Sequence, residues 1–168
     1  PKKESRLEFI QFNSQNSGLY TQSVALRNHA LYGDIGMPPL SEDGKQIEKE
    51  NLFFGAVTSD RLVGTVSFYE LSKGHFQLVA MAIDATYQAK GTGTKLVNFA
   101  FESMIDSVES ADDGQPVTLV VMTNAREKAL HFYERLGFSS DGAMTVDPAH
   151  HGIRHLPMKN ILLVKNKG

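Results

Sequence analysis

The sequence predicts a mixed α/β fold, a sheet that is antiparallel at its start and parallel at its centre with helices packed on it. Three observations carry this. Leu52–Val57 and Leu62–Tyr69 are β-type runs separated by the turn residues Ser59-Asp60-Arg61, which is a hairpin pattern. An amphipathic run from Leu96 to Val108 lies between two apolar strand-like runs, Leu78–Ile83 and Val117–Met122, so the pattern is β-α-β with the two strands parallel. A third apolar-periodic run ends at Gly137, a suitable left-handed stop for a helix.

In chain order, Leu7, Phe9, Ile10 and Phe12 suggest a first strand. Ser17 to Tyr32 follows as a helix with Leu19, Val24, Leu26, Ala30 and Leu31 on one stripe, broken by Gly33, Gly36 and Pro38-Pro39. Ser41 before Glu42 and Asp43 starts a short second helix. The hairpin comes next, and Lys73-Gly74 turns the chain into the strand ending at Ile83, which completes a three-stranded meander. The Leu96–Val108 helix sets Leu96, Val97, Ala100, Phe101, Met104, Ile105 and Val108 against Lys95, Asn98, Glu102, Asp106 and Glu109. Phe99, Phe101 and Met104 read as core or interface residues rather than as cofactor contacts. After the strand from Val117, Asn124 to Leu136 reads as another helix, Phe138 opens a further strand, and a loop with Pro148, His150, His151 and Gly152 leads to a last strand over Arg154–Val164.

The bulk properties narrow the function classes. The 168 residues predict one domain, 1–168, and 41% hydrophobic content predicts a folded chain. A net charge of −2 gives no whole-chain attraction to nucleic acid or an anionic membrane, so neither is expected as a partner. Asp106, Glu109, Asp112 and Asp113 form an acidic patch and Lys159, Lys165 and Lys167 a basic tail; both read as solvated surface. The absence of cysteine excludes disulfides, thiolate metal sites and cysteine nucleophiles. No stretch resembles a signal peptide or a membrane span, so a cytoplasmic protein is expected.

The chemistry concentrates in Tyr87-Gln88-Ala89-Lys90-Gly91-Thr92-Gly93-Thr94-Lys95, a glycine-bearing turn between a buried strand and a helix. Backbone N–H groups at a helix N-terminus, reinforced by the helix dipole, suit a phosphate. A P-loop would need Lys and then Ser or Thr directly after its last glycine, and Gly93 is followed by Thr94-Lys95-Leu96. A dinucleotide fingerprint would need a small residue where Leu96 stands. A phosphate-bearing ligand and a purely structural turn both remain on these grounds.

Gln88-Ala89-Lys90-Gly91-Thr92-Gly93 resembles the (Arg/Gln)-x-x-Gly-x-(Gly/Ala) pyrophosphate loop of the GNAT superfamily of acyl-CoA-dependent N-acetyltransferases. Asn124 to Phe138, with its Phe132-Tyr133-Glu134-Arg135-Leu136-Gly137-Phe138 ending, resembles that superfamily's second motif. Gly152-Ile153-Arg154-His155-Leu156-Pro157-Met158 is similar to a stretch in a branch of small bacterial members. The resemblance covers Leu52 to Phe138 well and the first fifty residues in outline.

The resemblance implies a GNAT-like fold whose two central parallel strands splay apart, and acetyl transfer from acetyl-CoA to a primary amine of a small molecule or peptide by direct attack. It implies that Gln88, Ala89, Lys90, Gly91, Thr92, Gly93 and Thr94 hold the pyrophosphate. It places the pantetheine arm between Met81, Ala82 and Ile83 on one side and Asn124, Arg126, Ala129, Phe132 and Tyr133 on the other. Tyr133 matches the tyrosine that serves as general acid to the thiolate in many members, against the plain alternative of a packing residue. Glu134 and Arg135 read as solvated surface, with a CoA phosphate as the alternative partner of Arg135. Some members carry a glutamate base on the strand before the loop, but His75–Ile83 holds no carboxylate. A water relay, His75, His155 or a carboxylate of the first helices then remain, with His155 ranked first because its strand should border the acceptor cleft and imidazole titrates near neutrality, against the plain alternative of a hydrogen-bonded structural histidine. Arg126 stands where the family often has asparagine, and Ala89 replaces a frequent glycine, which is compatible only with a negative φ. His150, His151, His155 and Asp147 match no standard zinc spacing, so no metal is expected. A non-catalytic CoA-binding module and an interaction domain with no nucleotide ligand are the rival classes. The acceptor pocket is expected between the first helices, around Arg27, Leu31 and Tyr32, and the last loop, and the family leaves a homodimer open.

Overall fold

The computed structural model describes residues 6–32, 39–111, 114–147 and 152–165. The expected helix breakers Gly33, Gly36 and Pro38, the patch residues Asp112 and Asp113, the loop residues Pro148, His150 and His151, and Lys167 lie outside the described residues, as do the side chains of Tyr32 and Asp147. The strands are β1 (Glu8–Phe12), β2 (Leu52–Thr58), β3 (Arg61–Ser72), β4 (His75–Ile83), β5 (Val117–Arg126), β6 (Ser139–Ser140), β7 (Thr145–Asp147) and β8 (Ile153–Lys165). Among the described residues these eight strands follow the order β1-β2-β3-β4-β5-β8-β6, with β7 paired to β8. The α-helices are α1 (Ser17–Arg27), α2 (Glu42–Ile47), α3 (Ala85–Gln88), α4 (Thr92–Ser110) and α5 (Leu130–Arg135). The chain divides into two compact units, Pro1–Phe68 with Ala80–Phe99, and Tyr69–Val79 with Ala100–Gly168.

In the first unit, β1 and β2 pair antiparallel from Glu8↔Val57 to Phe12↔Phe53, and β2 and β3 form the expected hairpin. Its turn places Ser59 and Asp60 at φ 47° and 62°, both left-handed, which matches the twist of the flanking strands. Strand alternation then gives the pair two apolar faces. On one face Phe53 meets Phe12 at 5.4 Å and Tyr20 of α1 edge-on at 5.6 Å. On the other, Phe54 meets Phe68 at 5.8 Å and Phe99 of α4 at 6.0 Å, and Phe9 meets Phe99 at 5.8 Å. The rings are offset, tilted or edge-to-face, the arrangements that aromatic quadrupoles favour.

The helix expected over Ser17–Tyr32 is α-helical only to Arg27; Asn28–Tyr32 is a π-helical turn. Asn16 caps α1 by accepting from the Leu19 N–H at 3.2 Å, and Asn28 Oδ1 accepts from the Leu40 N–H at 2.9 Å. Ser41 caps α2 as expected, accepting from the Gly44 N–H at 3.0 Å. Below this segment Arg27, 1% exposed, donates to both oxygens of Glu48 at 2.5 and 3.1 Å and lies 5.6 Å over the Phe53 ring. Tyr20 donates to the same carboxylate at 2.7 Å. A buried pair of this kind is costly to break from one side, because the partner's charge stays behind without compensation.

In the second unit, β4 and β5 run parallel from His75↔Val120 to Leu78↔Thr123, so the expected β-α-β arrangement is present. β5 and β8 run antiparallel from Val117↔Lys165 to Arg126↔His155. Leu119, Val120 and Val121 of β5 are all buried, next to a ladder irregularity between Leu119 and Val120; beyond it the strand alternates, with Thr123 and Ala125 buried, Asn124 exposed and Met122 and Arg126 half-buried. The buried face carries the aromatic cluster Phe101–Phe138–Tyr133, with centroid separations of 6.1 and 5.4 Å.

Two further helix boundaries differ from the sequence reading. The helix expected from Asn124 starts later: Asn124–Arg126 continue β5, Glu127–Ala129 form a 3₁₀ turn, and α5 covers Leu130–Arg135 before Gly137 at φ 103°. The long partner β8 supplies ladder positions opposite all three residues, and that pairing overrides a local pattern compatible with helix. α4 starts earlier than Leu96, at Thr92, so Gly93 and Thr94 belong to its first turn.

Replacing Glu48 by Gln should lower the unfolding free energy by about 3 kcal/mol. Urea denaturation measures this, and Arg27→Met combined with Glu48→Leu should cost less than Glu48→Gln alone.

Candidate functional site

The turn before α4 is built from local hydrogen bonds. Asp84 follows β4, donates its N–H to the Val63 carbonyl at 2.8 Å and caps α3 by accepting from the Thr86 N–H at 3.0 Å. That backbone donor, with Arg61 at 3.1 Å, holds the Asp84 carboxyl below the usual carboxylate range. The Gln88 side-chain amide donates to the Ile83 carbonyl at 3.0 Å and so ties the loop to the end of β4. The Lys90 N–H donates to the Tyr87 carbonyl at 3.3 Å, and the Lys90 ammonium lies 5.5 Å over the Tyr87 ring. Ala89 sits at φ −83°, a conformation alanine adopts without strain. Gly91 is at φ 76°, and a Cβ there would meet nothing within 4 Å, so open space lies beside its backbone.

The first intrahelical bond of α4 runs from the Lys95 N–H to the Gly91 carbonyl at 3.1 Å. Thr92, Gly93 and Thr94 therefore contribute first-turn N–H groups at the positive end of a 19-residue helix, which is suitable chemistry for an anion. Thr92 and Gly93 are buried and Thr94 is exposed; upstream, Ala82 and Ile83 are buried and Met81 is half-buried.

Tyr133 lies in the second unit. Its ring is held edge-on between Phe132 at 5.2 Å and Phe138 at 5.4 Å, and the residue is 8% exposed. Burial pushes its phenol up to about 12, while a hydrogen bond with the Thr123 side chain and the positive charge of Arg126 act in the opposite direction. Tyr133 is thus a neutral phenol at physiological pH, carrying a proton on a hydroxyl aimed at β5.

The remaining expected residues separate by face. Thr123 shares the buried side of β5 with Tyr133, and Arg126, three positions on, belongs to the opposite side. His155 is the register partner of Arg126 and shares that second side. His155 Nδ1 lies 3.2 Å from the Ile153 carbonyl; as a donor there it leaves the lone pair on Nε2, the tautomer a base requires. Asn124 is exposed on the His155 side, and Ala129 and Phe132 are half-buried. The structure therefore sets Arg126 opposite His155 in the β5–β8 register and places Thr123 on the other side of β5. Thr123 escaped the sequence reading. Its signal was a polar residue at a buried-parity position at the end of the apolar run from Val117.

Residues 39–162 match the family described as Acetyltransferase (GNAT) domain. The chain belongs to this family. The GNAT fold is likewise the one shared with solved structures. The ribosomal-protein-S18-alanine N-acetyltransferase from Escherichia coli aligns with a TM-score of 0.74 and 15% identity, over 97% of this chain and 98% of that one. An aminoglycoside 6'-N-acetyltransferase complexed with coenzyme A aligns with a TM-score of 0.73 and 15% identity, over 94% and 98%. Escherichia coli ElaA aligns with a TM-score of 0.69 and 15% identity, over 92% and 99%. The chain thus has the mixed α/β GNAT-like fold, a central sheet flanked by helices. No curated protein matches it. Among the described residues no group of three His, Asp or Glu side chains is gathered for a metal, and no helix is long and apolar enough to cross a membrane.

Because the Tyr133 phenol rises from 10.0 to about 12 on burial, the unfolded chain releases this proton first as pH increases. The stabilisation is complete below the unfolded value and is lost as pH rises through the folded one. Unfolding free energy should therefore decline between pH 10.0 and about 12. Tyr20, also raised to about 12 by burial and the adjacent Glu48, contributes a slope of the same sign. Tyr133→Phe should make the decline shallower in alkaline urea titrations and leave the part due to Tyr20.

Proposed function

We propose that the protein transfers an acetyl group from acetyl-CoA to a primary amine of a small-molecule or peptide acceptor by direct attack. The observation that carries this reading is the family match over residues 39–162, which includes both the Gln88–Gly93 loop and the Phe132–Phe138 ending. The coenzyme A complexed with the aminoglycoside 6'-N-acetyltransferase supports the choice of donor. The open space beside Gly91, and the first-turn donors of Thr92, Gly93 and Thr94, fit a pyrophosphate whose oxygens approach the backbone closely. Gln88 and Ala89 shape that loop and Lys90 adds positive charge near it. Met81, Ala82 and Ile83, together with Asn124, Arg126, Ala129 and Phe132, are the proposed pantetheine contacts. No metal takes part in this reading.

The amine must be neutral to attack, and its proton must leave as the new C–N bond forms. His155, in the tautomer with its lone pair on Nε2, is the proposed acceptor of that proton, directly or through water. As the C–S bond breaks, its electron pair goes to sulfur, and Tyr133 is the proposed donor to the departing thiolate. A phenol that stays protonated through the physiological range suits this role.

Thiol release from acetyl-CoA, followed across a panel of polyamines, amino acids, aminoglycosides and peptide N-termini, tests the proposal. With an active amine, Tyr133→Phe should lower kcat by about 10²-fold, the usual scale of general acid catalysis, and leave KM for acetyl-CoA nearly unchanged. Binding of CoA by calorimetry with no turnover on any amine would instead favour a non-catalytic CoA-binding module.

A further inference from the structure

α5 is six residues long, too short to hold its shape without tertiary support, and Ala129 at its start provides no side-chain cap. Its other end is built more firmly. The Gly137 N–H donates to the Glu134 carbonyl at 3.0 Å and the Phe138 N–H to the Tyr133 carbonyl at 3.1 Å, with Gly137 left-handed at φ 103°. This pair of bonds is the Schellman helix ending, and the apolar contact that accompanies it is the Tyr133–Phe138 ring pair at 5.4 Å. Tyr133 therefore owes its position to the ending of its own helix.

The two bonds of the motif do not use the Leu136 carbonyl, one of the helix-end acceptors that lack an intrahelical donor. Asn160 supplies that donor: its Nδ2 donates to the Leu136 carbonyl at 3.0 Å. Asn160 stands on β8 opposite Val121, on the buried side with Met158, and is 9% exposed. Gly137 makes room for it, since a Cβ there would come within 3.1 Å of Asn160 Nδ2. Glycine is thus required twice at this point, by its φ and by the amide beside it. We propose that Asn160 is a positioning residue for Tyr133: its amide anchors the end of α5 to β8 and so keeps the phenol where it can donate to the departing sulfur. Without the amide the half-buried Leu136 end loses its donor, and water must enter or the helix ending must open. The inference rests on the acid role of Tyr133 proposed above and adds no proton transfer to that step.

Two measurements on the full chain test the inference. In Asn160→Leu, the Gly137 and Phe138 amides should exchange with solvent about tenfold faster than in the unsubstituted chain, the scale of one lost hydrogen bond, while the Val121 amide keeps its rate. Unchanged rates at Gly137 and Phe138 overturn the inference, and so does an equal rise at Val121, which would mean that the unit loosens as a whole. Asn160→Asp keeps the shape and loses the donor, and it carries the same expectations where Asn160→Leu does not fold. In thiol-release kinetics with an active amine, Asn160→Leu should lower kcat about tenfold at constant KM for acetyl-CoA, and adding it to Tyr133→Phe should slow the enzyme no further. If Asn160→Leu multiplies the loss already caused by Tyr133→Phe, Asn160 is structural only and the inference falls while the acid role stands. If Tyr133→Phe leaves kcat unchanged, the acid role and the inference fall together.

Discussion

β5 is the strand on which the second unit depends, because it is paired on both edges. Its parallel ladder to β4 and its long antiparallel ladder to β8 allow no slip of register, since moving by one residue would exchange its two faces. That register decides the chemistry available on each side. Thr123 lies on the buried side, and Arg126 with its register partner His155 lies on the other. It also explains why the chain stays extended through Arg126 before the 3₁₀ turn and α5 can begin: three further ladder positions opposite Leu156, Pro157 and His155 outweigh the helical pattern.

The first unit rests on a different constraint, the burial of charge beneath α1. Arg27 and Glu48 hold each other and Tyr20, and the cation lies over Phe53, the ring that also receives Phe12. α1 and the turn after α2 are thereby fixed at one point, while the other face of the same strands is closed by Phe99 from the first half of α4. α4 is held through this aromatic packing, so the N–H groups of its first turn are presented by a rigid helix.

Much of this was legible in the sequence because it follows from short-range patterns. The Ser59-Asp60 hairpin, the β-α-β pattern around Leu96–Val108, the Ser41 cap and the Gly137 stop each depend on a few neighbouring residues whose backbone preferences agree. The glycine loop and the Phe132-Tyr133 ending were legible as motifs, and the family match includes both. The extension of β5 over Asn124–Arg126 was hidden because it depends on β8, some thirty residues away. The hydrogen bond from the Thr123 hydroxyl to the Leu78 carbonyl was hidden for the same reason, since only the folded chain brings the two together. The π-helical end of α1 has a comparable cause in part, since Asn28 is engaged with Leu40 across an intervening segment.

The central claim, that a GNAT chain with this loop takes an acyl-CoA donor, is tested most directly by amide NMR during titration with coenzyme A. Saturable shifts of the Gly91, Thr92, Gly93 and Thr94 amides are expected, stronger with coenzyme A than with its dephosphorylated pantetheine arm alone. Binding that leaves these four amides unmoved, or no binding at all, would contradict it.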